Sequence, residues 1–212
     1  VGVCGSDVHY YTTGKIGSQV VAYPFAVGHE CAGEVVAVGE GVRSLQPGDA
    51  VAIDPAMPCG ACDQCACGRA HTCRNLRFLG CPGQSEGSLA EYLVMPEGSC
   101  FKLLELGVLS EPLAIGVYAC HLAGTLAGKQ IGILGAGPIG LSVLLPARAA
   151  GVGRIFMTDR IDARLRVAQK AGADWTGNPD STDVVTAIAR QEPGLLDVVF
   201  ECCGQQEALD QA

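Results

Sequence analysis

A histidine and a glutamate stand side by side in Gly28-His29-Glu30-Cys31-Ala32-Gly33, with Cys4 upstream of them. Imidazole, thiolate and carboxylate together suit a transition metal, zinc above all, and three protein ligands leave one position open for a water or a substrate oxygen. The competing reading makes His29 and Glu30 a polar pair at a strand end and Cys4 a small core residue. A second set is more specific. Cys59, Cys62, Cys65 and Cys73 give C-x2-C-x2-C-x7-C in a stretch poor in hydrophobic residues. Four thiolates close a tetrahedral zinc site, which replaces an apolar core in holding such a lobe. An iron–sulfur cluster is the main rival, but the ferredoxin run keeps three residues before its last cysteine and follows it with proline. Here seven residues intervene and Arg74 follows. Cys67 is an extra thiol within the run, and a disulfide knot is the remaining alternative.

A third chemistry lies downstream. Gln130-Ile131-Gly132-Ile133-Leu134 reads as a buried strand leading into Gly135-Ala136-Gly137-Pro138-Ile139-Gly140. In such a turn Gly135 permits the tight bend, Gly137 lets backbone approach a pyrophosphate, and Gly140 lets helix and strand pack closely. The pyrophosphate then meets free N–H groups at a helix N-terminus, where Pro138 is also at home. A second strand, Arg154 to Thr158, ends in Asp159, 19 positions after Gly140. An acid there hydrogen-bonds a ribose 2′-hydroxyl and repels a 2′-phosphate, which favours NAD. Arg160 and Arg164 pull the other way, since a nearby arginine accommodates the 2′-phosphate of NADP. The structural alternative for Asp159 is a helix N-cap.

The elements that must position these groups fall into two halves. Val1 to Cys4 looks like a strand, alternation returns at Gly33–Gly39 and Asp49–Ile53 around a Gln46–Asp49 turn, and Ala90–Val94 is a further candidate. Short strands punctuated by Gly and Pro suggest a small β-barrel or sandwich. Beyond it, helical patterns over 139–150, 163–171 and 184–190 alternate with strands, the last at 196–201, which implies a parallel doubly wound sheet. Pro146 sits inside the first of these helices without a functional account. About four strands are present where a full dinucleotide fold has six. The expected organisation is a β-rich domain over 1–113 carrying the cysteine lobe, and a partial nucleotide-binding domain over 114–212. The chain reads as a truncated piece, since Val1-Gly2-Val3 resembles a strand interior.

Composition narrows the partners. The chain has 212 residues, is 49% hydrophobic and 17% charged, and carries a net charge of −8. That balance argues against nucleic acid or an anionic membrane, and no apolar run approaches the 18 or so residues that span a bilayer. Twelve cysteines, four at metal-ligand spacing, point to a reducing compartment, hence the cytoplasm.

Cys4-Gly5-Ser6-Asp7, then Gly28-His29-Glu30-x-x-Gly33 with Gly39 and Val42, then the four-cysteine lobe, resemble the zinc-dependent medium-chain alcohol dehydrogenases in that family's order. Gly5 to Tyr11 and Glu111-Pro112-Leu113 are most similar to its polyol branch, the sorbitol and xylitol dehydrogenases. The resemblance implies a GroES-like catalytic domain, a Rossmann domain, catalytic and structural zinc, and NAD-linked oxidation of a polyol to a ketose by a homo-oligomer, dimer or tetramer. It further implies a proton relay through Ser6 and His9, an orienting role for Asp7 on His29, and a substrate contact from Tyr10. Cys4 and His29 would hold the catalytic zinc with a carboxylate, either Glu30 or Glu111. Neighbours on a regular strand face opposite sides, so His29 and Glu30 share a metal only if the backbone breaks locally, and Gly28 is placed to supply that break. Other readings are a zinc dehydrogenase of simple alcohols or threonine, and a zinc-stabilised nucleotide-binding module without activity.

Overall fold

Between Lys129 and Glu201 the chain alternates strand and helix, and the reason is visible in its aliphatic runs. The computed structural model describes residues 1–103 and 106–212. It divides into two compact units, Val1–Glu111 and Pro112–Ala212.

In the first unit, Cys4 is the N-cap of α1 (Gly5–Thr13), which Gly14 ends in the left-handed region at φ 71°. The strand expected at Val1–Cys4 does not form. One sheet-like bond, from the Gly2 N–H to the Glu30 carbonyl at 2.6 Å, ties this extended segment before the helix takes over. A hairpin joins β1 (Lys15–Ile16) and β2 (Gln19–Val20). β3 (Ala32–Glu34), β4 (Ala50–Ile53) and β7 (Cys100–Lys102) make an antiparallel sheet in that order, and β5 (Ala56–Met57) pairs with β6 (Arg77–Phe78). The Gly33–Gly39 alternation yields regular strand only as far as Glu34. Beyond it, Val35 and Gly48 keep a bonded pair beside the turn, where the Asp49 N–H donates to Gln46. Ala90–Val94 takes no strand geometry, and Val94 stands 95% exposed. Among the described residues no strand pairs with this segment. Within the cysteine lobe lies α2 (Asp63–Ala66).

Helix α3 (Ser110–Leu122) opens at the end of this unit and continues into the second. There β8 (Gln130–Leu134), β9 (Arg154–Thr158), β10 (Trp175–Gly177) and β11 (Val198–Glu201) form a parallel sheet ordered β10-β9-β8-β11. Helices α4 (Pro138–Ala149), α5 (Asp162–Ala171), α6 (Val184–Gln191) and α7 (Gln206–Leu209) follow those strands. Parallel strands need both faces covered, so they read as unbroken aliphatic runs. Ile131, Ile133, Ile155 and Met157 are indeed wholly buried, together with Leu144 of α4. Each such side chain contributes about 1.5–3 kcal/mol on burial. Asp183 caps α6 by accepting from the Thr186 N–H at 3.0 Å.

Pro146 is tolerated inside α4, and the packing explains what becomes of its missing N–H. The Ser142 carbonyl, deprived of its usual partner four residues on, faces Gly116 of α3 where a side chain would begin. Any Cβ at Gly116 would collide with Ser142 backbone. Glycine there is a condition of the helix contact. Among the described residues no helix is long and apolar enough to cross a membrane.

Candidate functional site

Gly28 adopts φ 106°, and the space a Cβ would fill is taken by Ser88 Oγ at 3.0 Å and the Leu89 amide at 3.1 Å. Only glycine fits that turn. The backbone therefore leaves regular strand geometry before β3 begins at Ala32, and the two neighbours His29 and Glu30 both turn the same way. Cys4, His29 and Glu30 each offer a ligand atom, all within 4.8 Å of one another. His29 and Glu30 are buried, each 8% exposed, and Cys4 is half-buried. The donor set is that of a zinc centre with an open position.

Asp7 sets the spacing of the two ligand segments. One carboxylate oxygen accepts from the Cys4 N–H at 2.9 Å, and the other accepts from the Gly28 N–H at 3.0 Å. The second oxygen also lies 3.7 Å from His29 Nδ1. Asp7 is 3% exposed, so this carboxylate is buried and satisfied by backbone amides rather than by water. The Cys4 thiol is held below its ordinary value, first by a hydrogen bond with the His29 side chain, then, against the cost of burial, by Ser6. His29 is shifted up by the same contact with Cys4, aided by the charges of Asp7 and Glu111. A thiolate is the form that binds metal.

The remaining expected residues lie around this cluster. Glu111 is half-buried and stands outside the 4.8 Å group. Burial pushes its carboxyl up, and it feels His29, Glu30, Asp54 and Asp7. Ser6 helps to lower the Cys4 thiol, whereas His9 of α1 is exposed. Tyr10 is buried, its hydroxyl donating to Gln19 Oε1 at 2.7 Å.

In the lobe, Cys59, Cys62, Cys65 and Cys73 also gather within 4.8 Å. The sulfurs of Cys62 and Cys65 are 3.5 Å apart, and Cys73 Sγ accepts from the Cys59 and Asn75 amides at 3.2 and 3.4 Å. Backbone amides of Ala61 and Cys62 lower Cys59 to about 6, while burial and the neighbouring thiols raise Cys65 to about 12. Amide donors converging on crowded sulfurs fit a bound dication that all four thiolates would share. All twelve cysteines are free thiols in this structure.

In the second unit, Gly135 has φ 106°, Gly137 is the N-cap of α4 and Pro138 its first residue. A Cβ on Gly140 would collide with the Gly135 carbonyl, whereas Gly137 has open space before Arg164 Nη1 at 3.8 Å. Ile139 is the second residue of α4, so its amide has no intrahelical acceptor. A cleft of about 710 Å³ opens here, lined by Gly137, Ile139, Asp159, Arg160 and Arg164. Asp159 accepts from the Ala136 N–H and the Ile161 N–H, each at 2.8 Å, and Arg164 Nη1 lies 3.7 Å away. It stands before the α5 N-cap, which is Ile161, so Asp159 is tied to the glycine turn and does not cap the helix.

Two features of this cleft were missed from sequence. Asp180 pairs with Arg160, and the Cys203 thiol sits 2.9 Å from where a Cβ on Gly135 would lie. No local spacing announces either; only the placement of β10 beside β9, and β11 beside β8, brings them in.

Comparison with known proteins agrees with the fold of both units. Residues 1–105 match the alcohol dehydrogenase GroES-like domain model, and residues 138–212 match the zinc-binding dehydrogenase model. An L-idonate 5-dehydrogenase of Vitis vinifera is 39% identical over all of this chain and 60% of its own length. A sorbitol dehydrogenase of Arabidopsis thaliana is 40% identical, over 100% of this chain and 61% of its own. A candidate zinc-binding dehydrogenase from Sinorhizobium meliloti 1021, crystallised bound to NADP, superposes with a TM-score of 0.86 at 38% identity, covering 98% of this chain and 61% of that one. The chain thus spans about 60% of the length of these relatives.

Proposed function

The chain belongs to the zinc-dependent medium-chain alcohol dehydrogenases, and from that premise we propose that the intact protein oxidises a polyol of the sorbitol, xylitol or galactitol type to a ketose, passing hydride to NAD. The observation that carries the reading is the convergence of Cys4, His29 and Glu30 at a turn only Gly28 permits.

These three residues would hold the catalytic zinc, and Cys59, Cys62, Cys65 and Cys73 the structural one. When bound, the catalytic ion supplies Lewis-acid polarisation of the carbinol oxygen. The chain's own groups do the rest. Asp7, anchored on two backbone amides, keeps the Cys4 and His29 segments at one separation and orients the imidazole. Ser6 Oγ would accept the alcohol proton, and His9, whose imidazole is exposed, would release it to solvent. Glu111, outside the ligand cluster and raised by burial, is assigned a water-linked place behind Glu30. Tyr10, clamped by Gln19, would back the substrate pocket.

The pyrophosphate would lie on the Gly135-Ala136-Gly137-Pro138-Ile139-Gly140 turn, with Asp159 at the adenosine ribose and Arg164 beside it. A small-molecule substrate is consistent with these relatives. A homo-oligomeric state and a cytoplasmic location complete the proposal.

The test is metal analysis and an NAD-linked assay on the intact parent protein. Two zincs per chain and turnover of sorbitol, xylitol or galactitol are expected. Turnover of ethanol or threonine alone would shift the reading to another branch, and bound zinc with no alcohol-dependent NAD reduction would make the chain a binding module. Zinc content in Glu30→Ala and Glu111→Ala separates the two carboxylates, with loss expected in the first.

A further inference from the structure

The adenosine end of the nucleotide cleft holds two arginines, which is a difficulty for a cofactor without a 2′-phosphate. Guanidinium groups bind phosphate in forked, charge-assisted pairs, and an arginine at this place is what admits NADP. Arg160 directly follows Asp159, the residue expected to meet the ribose. Left free, its donors would be well placed for a third phosphate.

Arg160 is not free. Its Nε lies 2.9 Å from one carboxylate oxygen of Asp180 and 3.0 Å from the other. Asp180 is brought there by a laced loop. Asn178, just after β10, accepts from the Asp180 N–H at 2.9 Å. Its side-chain amide donates to the Arg160 carbonyl at 3.1 Å and to Asp162 Oδ1 at 2.8 Å. One asparagine thus fixes the backbone on both sides of the ion pair. The pair is largely exposed, with side chains 76% and 53% accessible, so it adds little to stability. Its position is the point: Arg160 and Asp180 both line the cleft, with Asp159 and Glu207 as further negative charge.

Resting on the dinucleotide reading above, we propose that Asp180 is a cofactor-specificity residue. By holding the Arg160 guanidinium it withholds one of the two cations a 2′-phosphate would use, the other, Arg164, lying 3.7 Å from Asp159, and it adds a carboxylate to the same cleft. Asp159 favours the ribose hydroxyl, and Asp180 suppresses the arginine that would otherwise offset it. Exclusion of the phosphorylated cofactor is shared between two acids about twenty residues apart in sequence, on neighbouring strand ends.

Dissociation constants for NADH and NADPH, read from the emission of the bound reduced nicotinamide at fixed ionic strength, test this on the intact parent protein. In Asp180→Asn, NADPH should tighten by about tenfold or more while NADH moves less than about threefold, and the gain should shrink with added salt. Adding Arg160→Ala should abolish the gain. Unchanged NADPH affinity in Asp180→Asn, or a gain that survives loss of Arg160, overturns the assignment while normal NADH binding leaves the dinucleotide reading intact. Wild-type protein that binds neither cofactor overturns both. Circular dichroism of Asp180→Asn checks that the exposed substitution leaves the fold unaltered.

Discussion

Around the cysteine lobe of the first unit, the buried apolar cluster consists of Cys31, Met57 and Leu79, with Ile53 and Met95 against it. In the second unit thirteen buried residues form one core between sheet and helices. The first unit has strands of two to four residues and much irregular backbone; the second has parallel strands of three to five residues, and its central β8 and β9 carry continuous buried aliphatic runs. A region with so little apolar area to bury needs another source of cohesion, and converged thiolates supply it. A region rich in Ile, Leu and Val does not. The two halves solve the same problem with different chemistry, and they should fail under different insults.

Metal removal is the strongest way to break that contrast. Structural zinc in small lobes is worth on the order of 10 kcal/mol. Chelation should therefore abolish hydrogen-exchange protection over residues 57–78 while the emission of Trp175, the single tryptophan, stays put on Phe156 in the second unit. A lobe that keeps its protection without metal would remove the distinction. The converse substitution is Leu144→Ala, which should lower the stability of the second unit by about 2–5 kcal/mol in denaturant unfolding followed by Trp175, with zinc content unchanged. A loss below about 1 kcal/mol would mean that this core is not the principal support.

Gly116→Ala sharpens the comparison from within the second unit. Its new methyl would push against Ser142 backbone, and overpacking of this kind costs about 1–3 kcal/mol. The same unfolding curves read it, and a neutral result would show that α3 can slide along α4. The smallest effect concerns pH in the first unit. Glu97 accepts from the Ser44 hydroxyl and from the Ser44 and Arg43 amides, which in that order hold its carboxyl down to about 2 from an ordinary 4.5. Because the folded value is the lower one, its stabilisation is present above pH 4.5 and is lost as pH falls towards 2. Acid unfolding of Glu97→Gln should accordingly show a shallower loss across that window than wild type, and coincident curves would dismiss the contribution.

The sequence made the second unit legible because its signals are local. A glycine turn, an aliphatic strand and a proline at a helix start each declare themselves within six residues, and the three strands placed from sequence stand in one sheet with β10, which was not placed. The thiol lobe was legible for the same reason. What escaped was decided by pairing at a distance. Val1–Cys4 and Ala90–Val94 carry strand-like patterns, yet a strand exists only where an edge receives it. Asp180 meets Arg160 because β10 docks beside β9, a fact no spacing encodes. The adjacency of His29 and Glu30, by contrast, demanded a backbone break at Gly28 from sequence alone, and Gly28 does take φ 106°.

The carbonyl that Pro146 strands on Ser142 offers a spectroscopic handle on the second unit. A helical carbonyl that keeps its amide donor four residues on absorbs at lower frequency in the infrared than one whose donor position is proline. An isotope-edited label at Ser142 should thus stand to the blue of the remaining α4 carbonyls. Its band would shift when α3 lifts away and water takes the oxygen, reporting the parting of two helices at a single bond.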